Sequence, residues 1–228
     1  MNRPGEPAGP AARADERARM VERQLAGRGV RDANVLAAMR VVPRHCFVPP
    51  ELAERAYDDS ALPVAEGQTV SQPWVVARML ELAEIAAGDR VLDVGTGTGY
   101  QAAVLAAMGA EVFSIERIAS LASAAGERLV ALGFARVRVR VGDGSLGWQE
   151  FAPYARVLAA AAAPHVPRAL LEQLGDGGVL VIPVGSARSQ CLEVWRRRRN
   201  GFLHERYDAC RFVPLIGLDA WREDPHHN

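Results

Sequence analysis

Hydrophobic positions change their period along this chain, and the change falls near Gly88. Before it, apolar residues recur at helical spacing. Residues 15–29 carry charges around Met20, Val21 and Leu25, which predicts an amphipathic helix ending at Gly27 or Gly29. The segment DANVLAAMRVVP predicts a second helix, with Asp32 as its cap, Val35, Leu36 and Met39 facing inward, and Pro43 as its stop. PPELAERAY predicts a short third helix with Pro50 near its first turn. The stretch DDSALPVAEGQTVSQP has neither period and is expected to be irregular. From Pro73 a helix is predicted with Val76, Met79, Leu80 and Ala83 on one face.

After Gly88, strands and helices alternate. RVLDVG reads as a buried strand, GYQAAVLAAMG as a helix closed by Gly109, and EVFSIE as a second strand. ASLASAAGERLVALG reads as a helix closed by Gly133, and ARVRVRVGDG as a half-exposed strand of period two. ARVLAAAAAP is a further strand, PRALLEQLGDGG a helix and VLVIPVG another buried strand. This order predicts an α/β fold: a doubly wound, mostly parallel sheet with helices on both faces. The last segment holds two alternating runs joined through Asn200-Gly201, a preferred two-residue hairpin turn. The sheet is therefore expected to finish in a C-terminal antiparallel hairpin. Arg196 to Arg199 flank that turn and are expected to form a solvated sheet edge.

Composition narrows the function. At 228 residues, 49% hydrophobic and 24% charged, the chain is long enough for one domain with a real core. Residues 1–14 are expected to be a disordered leader and 218–228 a polar tail. Between them, 15–217 form a single domain: an N-terminal helical and loop region, 15–87, and a sheet region, 88–217. The formal net charge is zero, which argues against nucleic-acid binding by surplus positive charge. No apolar run is long enough to span a bilayer as a helix. The three cysteines, Cys46, Cys191 and Cys210, are widely spaced and suggest reduced thiols in a cytoplasmic protein rather than a disulfide framework. The five histidines show no metal-ligand spacing.

The chemistry starts at VLDVGTGTGY. Gly95, Gly97 and Gly99 stand directly after a strand and at the start of a helix, where backbone can approach a ligand and free N–H groups point outward. A dinucleotide fingerprint would place its last glycine at position 100, where Tyr100 stands. Glu116 closes the next strand, where an acid can take both ribose hydroxyls. Asp143 and Gly144 follow the third strand, where an acid can accept an adenine amino group. These three elements fall on the carboxyl edge of one sheet, the edge at which open α/β folds bind ligands. The D-x-G-x-G-x-G pattern resembles motif I of the class I S-adenosylmethionine-dependent methyltransferases. The resemblance implies a donor site of Asp93, Gly95, Thr96, Gly97, Gly99, Glu116, Asp143 and Gly144, with S-adenosyl-L-methionine as cofactor and S-adenosyl-L-homocysteine as product.

A second set of motifs is more specific. AYDDSALPVAEGQTVSQPWVVARML, GDGSLGW, AAAAPHVPRALLEQLGDGGVLVIPVG and RFVPLIG occur in order with the glycine motif. Together, over about residues 17–217, they resemble the protein-L-isoaspartate O-methyltransferases. That resemblance implies methyl transfer to the α-carboxylate of L-isoaspartyl residues in damaged proteins and peptides; separately, the chain is expected to be a monomer. The resemblance implies Ser71 as the active-site serine. It further implies Leu62, Pro63, Gln68 and Thr69 as substrate-binding residues, and Val213, Pro214 and Leu215 along a peptide channel; the loop from Leu62 to Gln72 is expected to fold over the donor as a lid, with Gly67 as its flexible point. By pattern alone, residues 213–215 read equally as strand-end core, and Ser71 as a helix cap. A carboxylate acceptor with a pKa of about 4 is already ionised at neutral pH, so no strong base is needed. Ser71 is thus expected to position the acceptor rather than attack it.

Two positions depart from the family pattern: Ala155 stands for a usual Asp, and Ala160 for a usual Thr. They motivate one alternative, a non-catalytic S-adenosylmethionine-binding module; a separate alternative is a tailoring enzyme that methylates an Asp of one dedicated peptide.

Overall fold

In the computed structural model, which describes residue 9 and residues 12–222, the sheet is built outward from an enclosed strand. Val91 to Val94 in β3 (Arg90–Val94) are all buried, so neither face of that strand meets water. β4 (Glu111–Glu116) and β5 (Arg138–Val141) follow on one side of it, and β6 (Tyr154–Ala159) and β7 (Leu174–Gly185) on the other; all five run parallel. β8 (Gln190–Arg198) and β9 (Gly201–Cys210) complete the seven-stranded sheet in antiparallel order. The chain reverses its direction of travel between β3 and β6. The carboxyl ends of β3 and β6 therefore open a crevice at that switch point.

One face is covered by α1 (Ala14–Arg19), α2 (Ala33–Val41), α3 (Pro73–Ala83) and α4 (Tyr100–Ala107). Met20, Leu25, Met39, Met79, Leu80 and Leu105 are buried there. Leu129 of α5 (Ala119–Ala131) joins the same core. The other face is aromatic: Phe113, Trp148, Phe151 and Tyr154 pack together beneath α6 (Arg168–Glu172). Asp32 caps α2 by accepting from the amides of Asn34 and Val35, and Pro43 lies beyond the helix, as expected. Met20, Val21 and Leu25 are buried as predicted, although the first helix passes through a π-helical segment, Met20–Leu25, before Gly29 ends it at φ 98°.

Several expectations are corrected. The irregular stretch contains a small hairpin, in which β1 (Leu62–Pro63) pairs with β2 (Thr69–Val70), and Glu66 and Gly67 turn it with positive φ. Buried Leu62 and Val70 fasten that hairpin to the core. PPELAERAY forms a 3₁₀ helix, Pro50–Arg55. The helix expected over PRALLEQLGDGG stops at Glu172; Leu174 already pairs with Tyr154, so the glycines belong to β7. The β8–β9 turn is centred on Arg199 and Asn200, with Gly201 paired to Arg198. β8 is not the edge strand. Arg196 is largely covered by Glu84, at 2.9 Å, and by Glu205. The arginines of β5 do not simply face water, because Arg138 lies over Phe113 and Phe151, and Arg140 over Trp148.

At the chain ends, residues 1–8, 10 and 11 of the expected leader and 223–228 of the expected tail lie outside the described residues. The described part of the tail folds back: Ile216 bridges Trp221, and Gly217 N–H donates to Trp221 O.

Candidate active site

The carboxyl ends of β3, β4 and β6 form a narrow cleft of about 130 Å³. Gly95, Thr96 and Gly97 make its floor, Glu116 one wall, and Gly144 and Ala160 the other. The glycines are needed for geometry. Gly97 has φ 54°, and a Cβ built on it meets no atom within 4 Å, so any side chain there would take up open space beside the cleft. A Cβ on Gly144 would come within 2.5 Å of Val94 Cγ1. The Gly97 amide donates to Glu116 Oε2 at 2.9 Å, and the Ile118 amide to Glu116 Oε1 at 3.0 Å. The buried Glu116 carboxylate is therefore fixed at the rim, with one lone pair on each oxygen remaining for a ligand hydroxyl.

Asp93 lies behind this floor, wholly buried, and does not line the cleft. Its Oδ1 accepts from Gln101 Nε2 at 2.8 Å and its Oδ2 from Ser114 Oγ at 2.6 Å, while Ser114 Oγ also meets Thr96 Oγ1 at 2.6 Å. It positions Thr96 through Ser114 and does not present itself to a ligand. Burial pushes its carboxyl up to about 6, the two hydrogen bonds resist that rise, and the charge of Glu116 adds to it.

Asp143 is similarly engaged. Oδ1 accepts from Ser145 N and Oγ, and Oδ2 from the Leu218 amide at 2.8 Å. The residue from that motif that lines the cleft is Gly144. Gly99 begins α4 with φ 93°, and Leu129 packs where its Cβ would be; it too stands behind the floor.

A second, wider groove of about 1060 Å³ adjoins the first. Thr69, Ser71, Arg117, Val213, Pro214 and Ile216 line both cavities. Ser71 thus stands at the seam between a narrow glycine-floored cleft and a broad groove. It is not a helix cap, because the residue preceding α3 is Gln72, and no side chain caps that helix. Gln72 Nε2 instead donates to Asp59 O at 3.1 Å and ties the serine's neighbour to the groove wall. The β1–β2 hairpin reaches over the cleft, where Ser120 Oγ of α5 donates to Glu66 Oε1 at 3.1 Å.

Of the residues expected to meet substrate, Gln68, Thr69, Val213, Pro214 and Leu215 line one or both cavities. Leu62 is fully buried and Pro63 lines neither; both serve the hairpin. Tyr100 and Arg117 line the site without having been singled out in the sequence. Arg44 is the largest fully buried side chain. It lies 4.9 Å over the Tyr100 ring and donates from Nε to Ala56 O at 2.8 Å, and burial lowers its pKa. No metal-binding cluster occurs among the described residues, and no described helix is long and apolar enough to cross a membrane.

A doubly wound sheet that ends in an antiparallel pair, with a glycine floor at its switch point and a ribose-competent acid on the next strand, has the architecture of the class I methyltransferases. A family profile described as protein-L-isoaspartate(D-aspartate) O-methyltransferase matches residues 15–220, and the chain belongs to that family. It is 49% identical over 212 residues to a protein-L-isoaspartate O-methyltransferase of Methanoregula boonei, covering 93% of this chain and 98% of the relative. It is 53% identical over 205 residues to one of Methylorubrum extorquens, covering 90% of each. A solved protein-L-isoaspartate O-methyltransferase superimposes with a TM-score of 0.80 at 27% identity, over 90% of this chain and 67% of that one.

Proposed function

We propose that this chain transfers the methyl group of S-adenosyl-L-methionine to the α-carboxylate of L-isoaspartyl residues in damaged proteins and peptides, with Ser71 orienting the acceptor. The observation that carries the roles is the shared wall. Ser71 and Thr69 line both the glycine-floored cleft and the wide groove, so a peptide acid in the groove meets the cleft at that point.

The cleft suits the cofactor. Gly95 and Gly97 offer open backbone, Glu116 presents acceptors for ribose hydroxyls, and Gly144 allows close approach where a side chain would strike Val94. When bound, S-adenosylmethionine supplies an electrophilic methyl group on a sulfonium. The chain's own residues then bind, orient and exclude water. Ser71 Oγ donates to one oxygen of the acceptor carboxylate and leaves the other free to attack. The hairpin and Val213 shield the seam, where opposite charges are neutralised as the reaction proceeds. Ala160 places a methyl group beside Gly95, so no hydroxyl at that position assists the acceptor.

The membership of the family and the intact Ser71, Glu116 and glycine floor favour a repair catalyst over a binding-only module. The breadth of the groove favours many peptides over one dedicated partner. The chain is taken to act as a monomer, and its three free cysteines accord with a reducing cytoplasm. The test is incubation with methyl-labelled donor and matched peptides containing isoaspartate or aspartate. Base-labile label on the isoaspartyl peptides alone is expected. Label on neither, with donor binding intact, contradicts the proposal; label on a single aspartyl sequence favours a tailoring enzyme.

A further inference from the structure

The wide groove carries a charge that the whole chain does not. Arg211 and Arg222 line it and carry that charge, while Arg117, which lines both cavities, has a partner of its own. The carboxylate in its lining is Asp59, which is already paired with Arg28. Asp208 of β9, next to the lining residue Ala209, is held by Arg78 at 2.8 Å. Cys210 is the other titratable group in the wall; burial pushes its thiol up to about 12, so it stays neutral. Arg211 and Arg222 are exposed, and no ion pair engages either among the described residues. Trp74, Phe212 and Trp221 supply apolar surface between these charges. A molecule of zero formal net charge therefore presents a cationic, aromatic-lined trough leading to Ser71.

We propose that this trough selects isoaspartyl peptides with acidic residues flanking the damaged position. The inference rests on the groove receiving the peptide, as argued above. Opposite charges raise the local concentration of an anionic peptide and speed its encounter, and salt screens both effects. Lone exposed ion pairs are weak, on the order of a few-fold each, so the preference arises from the arginines together. Ligand and groove match in a second respect, since the acceptor is itself a carboxylate.

The experiment compares kcat/KM for three isoaspartyl peptides of equal length whose flanking residues are acidic, neutral or basic. The full chain is used, because Glu223 and Asp224 follow Arg222 in the sequence. At low ionic strength the acidic peptide is expected to exceed the basic one by about tenfold, mostly through KM, and half a molar salt should nearly erase the difference. The double variant Arg211→Glu/Arg222→Glu should invert the order of the acidic and basic peptides while donor affinity stays unchanged, since neither residue lines the narrow cleft. Equal kcat/KM for the three peptides, or a double variant that keeps the acidic preference, overturns the inference. Failure to methylate any isoaspartyl peptide would instead contradict the function itself.

Discussion

The amide of Gly97 donates to the Glu116 carboxylate across the top of the sheet at 2.9 Å. One hydrogen bond thereby ties the floor of the cleft to its wall, and it binds residues from two strand ends. Glu116→Ala removes both the ribose acceptor and this tie. Loss of charge-assisted hydrogen bonds worth about 1.5–3 kcal/mol predicts donor binding weaker by roughly ten- to a hundredfold. Calorimetric titration with S-adenosylhomocysteine measures it; an unchanged affinity would remove Glu116 from the site.

Gly144→Ala places a methyl group within 2.5 Å of the branched, fully buried Val94. Neither β3 nor the 3₁₀ turn that follows Asp143 can shift without disturbing the cleft they share. Overpacking of this kind costs about 1–3 kcal/mol. A lower midpoint in urea, together with weaker donor binding, is expected. Wild-type values of both would show that the contact relaxes freely.

Asp143→Asn discriminates between two roles for that acid. The amide oxygen can still accept from Ser145, but the amide nitrogen cannot accept from Leu218 N–H. Faster hydrogen exchange around residues 217–221 is expected, with peptide KM up roughly threefold and donor affinity little changed. Lost donor affinity with unchanged exchange would mean that the carboxylate serves the donor directly.

Asp93 gives the fold a pH dependence. Its carboxyl is raised from 3.8 to about 6. Between those values the folded chain keeps a proton that the unfolded chain has released. Its contribution to stability is therefore full below about pH 4 and lost as pH rises through about 6. Asp93→Asn removes the titration. The stability of wild type relative to this variant should fall by up to about 3 kcal/mol between pH 4 and pH 7.5, followed by urea denaturation. A constant difference across that range would show that Asp93 does not titrate abnormally.

Parts of this site were legible in the sequence because they follow from backbone geometry. Glycines after a buried strand mark a turn that side chains would block, and Gly95, Gly97 and Gly144 lie in the cleft accordingly. Apolar periodicity found the buried faces of α2 and α3 for the same local reason. What stayed hidden was the direction of side chains. Asp93 and Asp143 carry the right chemistry at the right strand ends, but Asp93 is buried beneath Gln101 and Ser114, Asp143 is drawn to Ser145 and Leu218, and neither lines the cleft. Leu62 and Pro63 sit in a motif tied to the acceptor, yet two cross-strand pairs with Val70 and Thr69 turn them to building the hairpin. GDGG falls inside the helix expected over PRALLEQLGDGG; in β7 it forms the break in register between the Leu174–Tyr154 and Val179–Arg156 pairs, with Gly177 at φ 71°, so its turn preference is met inside the strand.

Ser71→Ala tests the central claim most directly, through the single-turnover rate of methyl transfer to an isoaspartyl peptide at saturating donor. Removing one hydrogen bond to a carboxylate predicts a rate lower by roughly ten- to a hundredfold, with affinity for S-adenosylhomocysteine within about twofold of wild type. A wild-type rate, or a loss of donor affinity as large as the loss of rate, would contradict the placement of Ser71 as the residue that aims the acceptor.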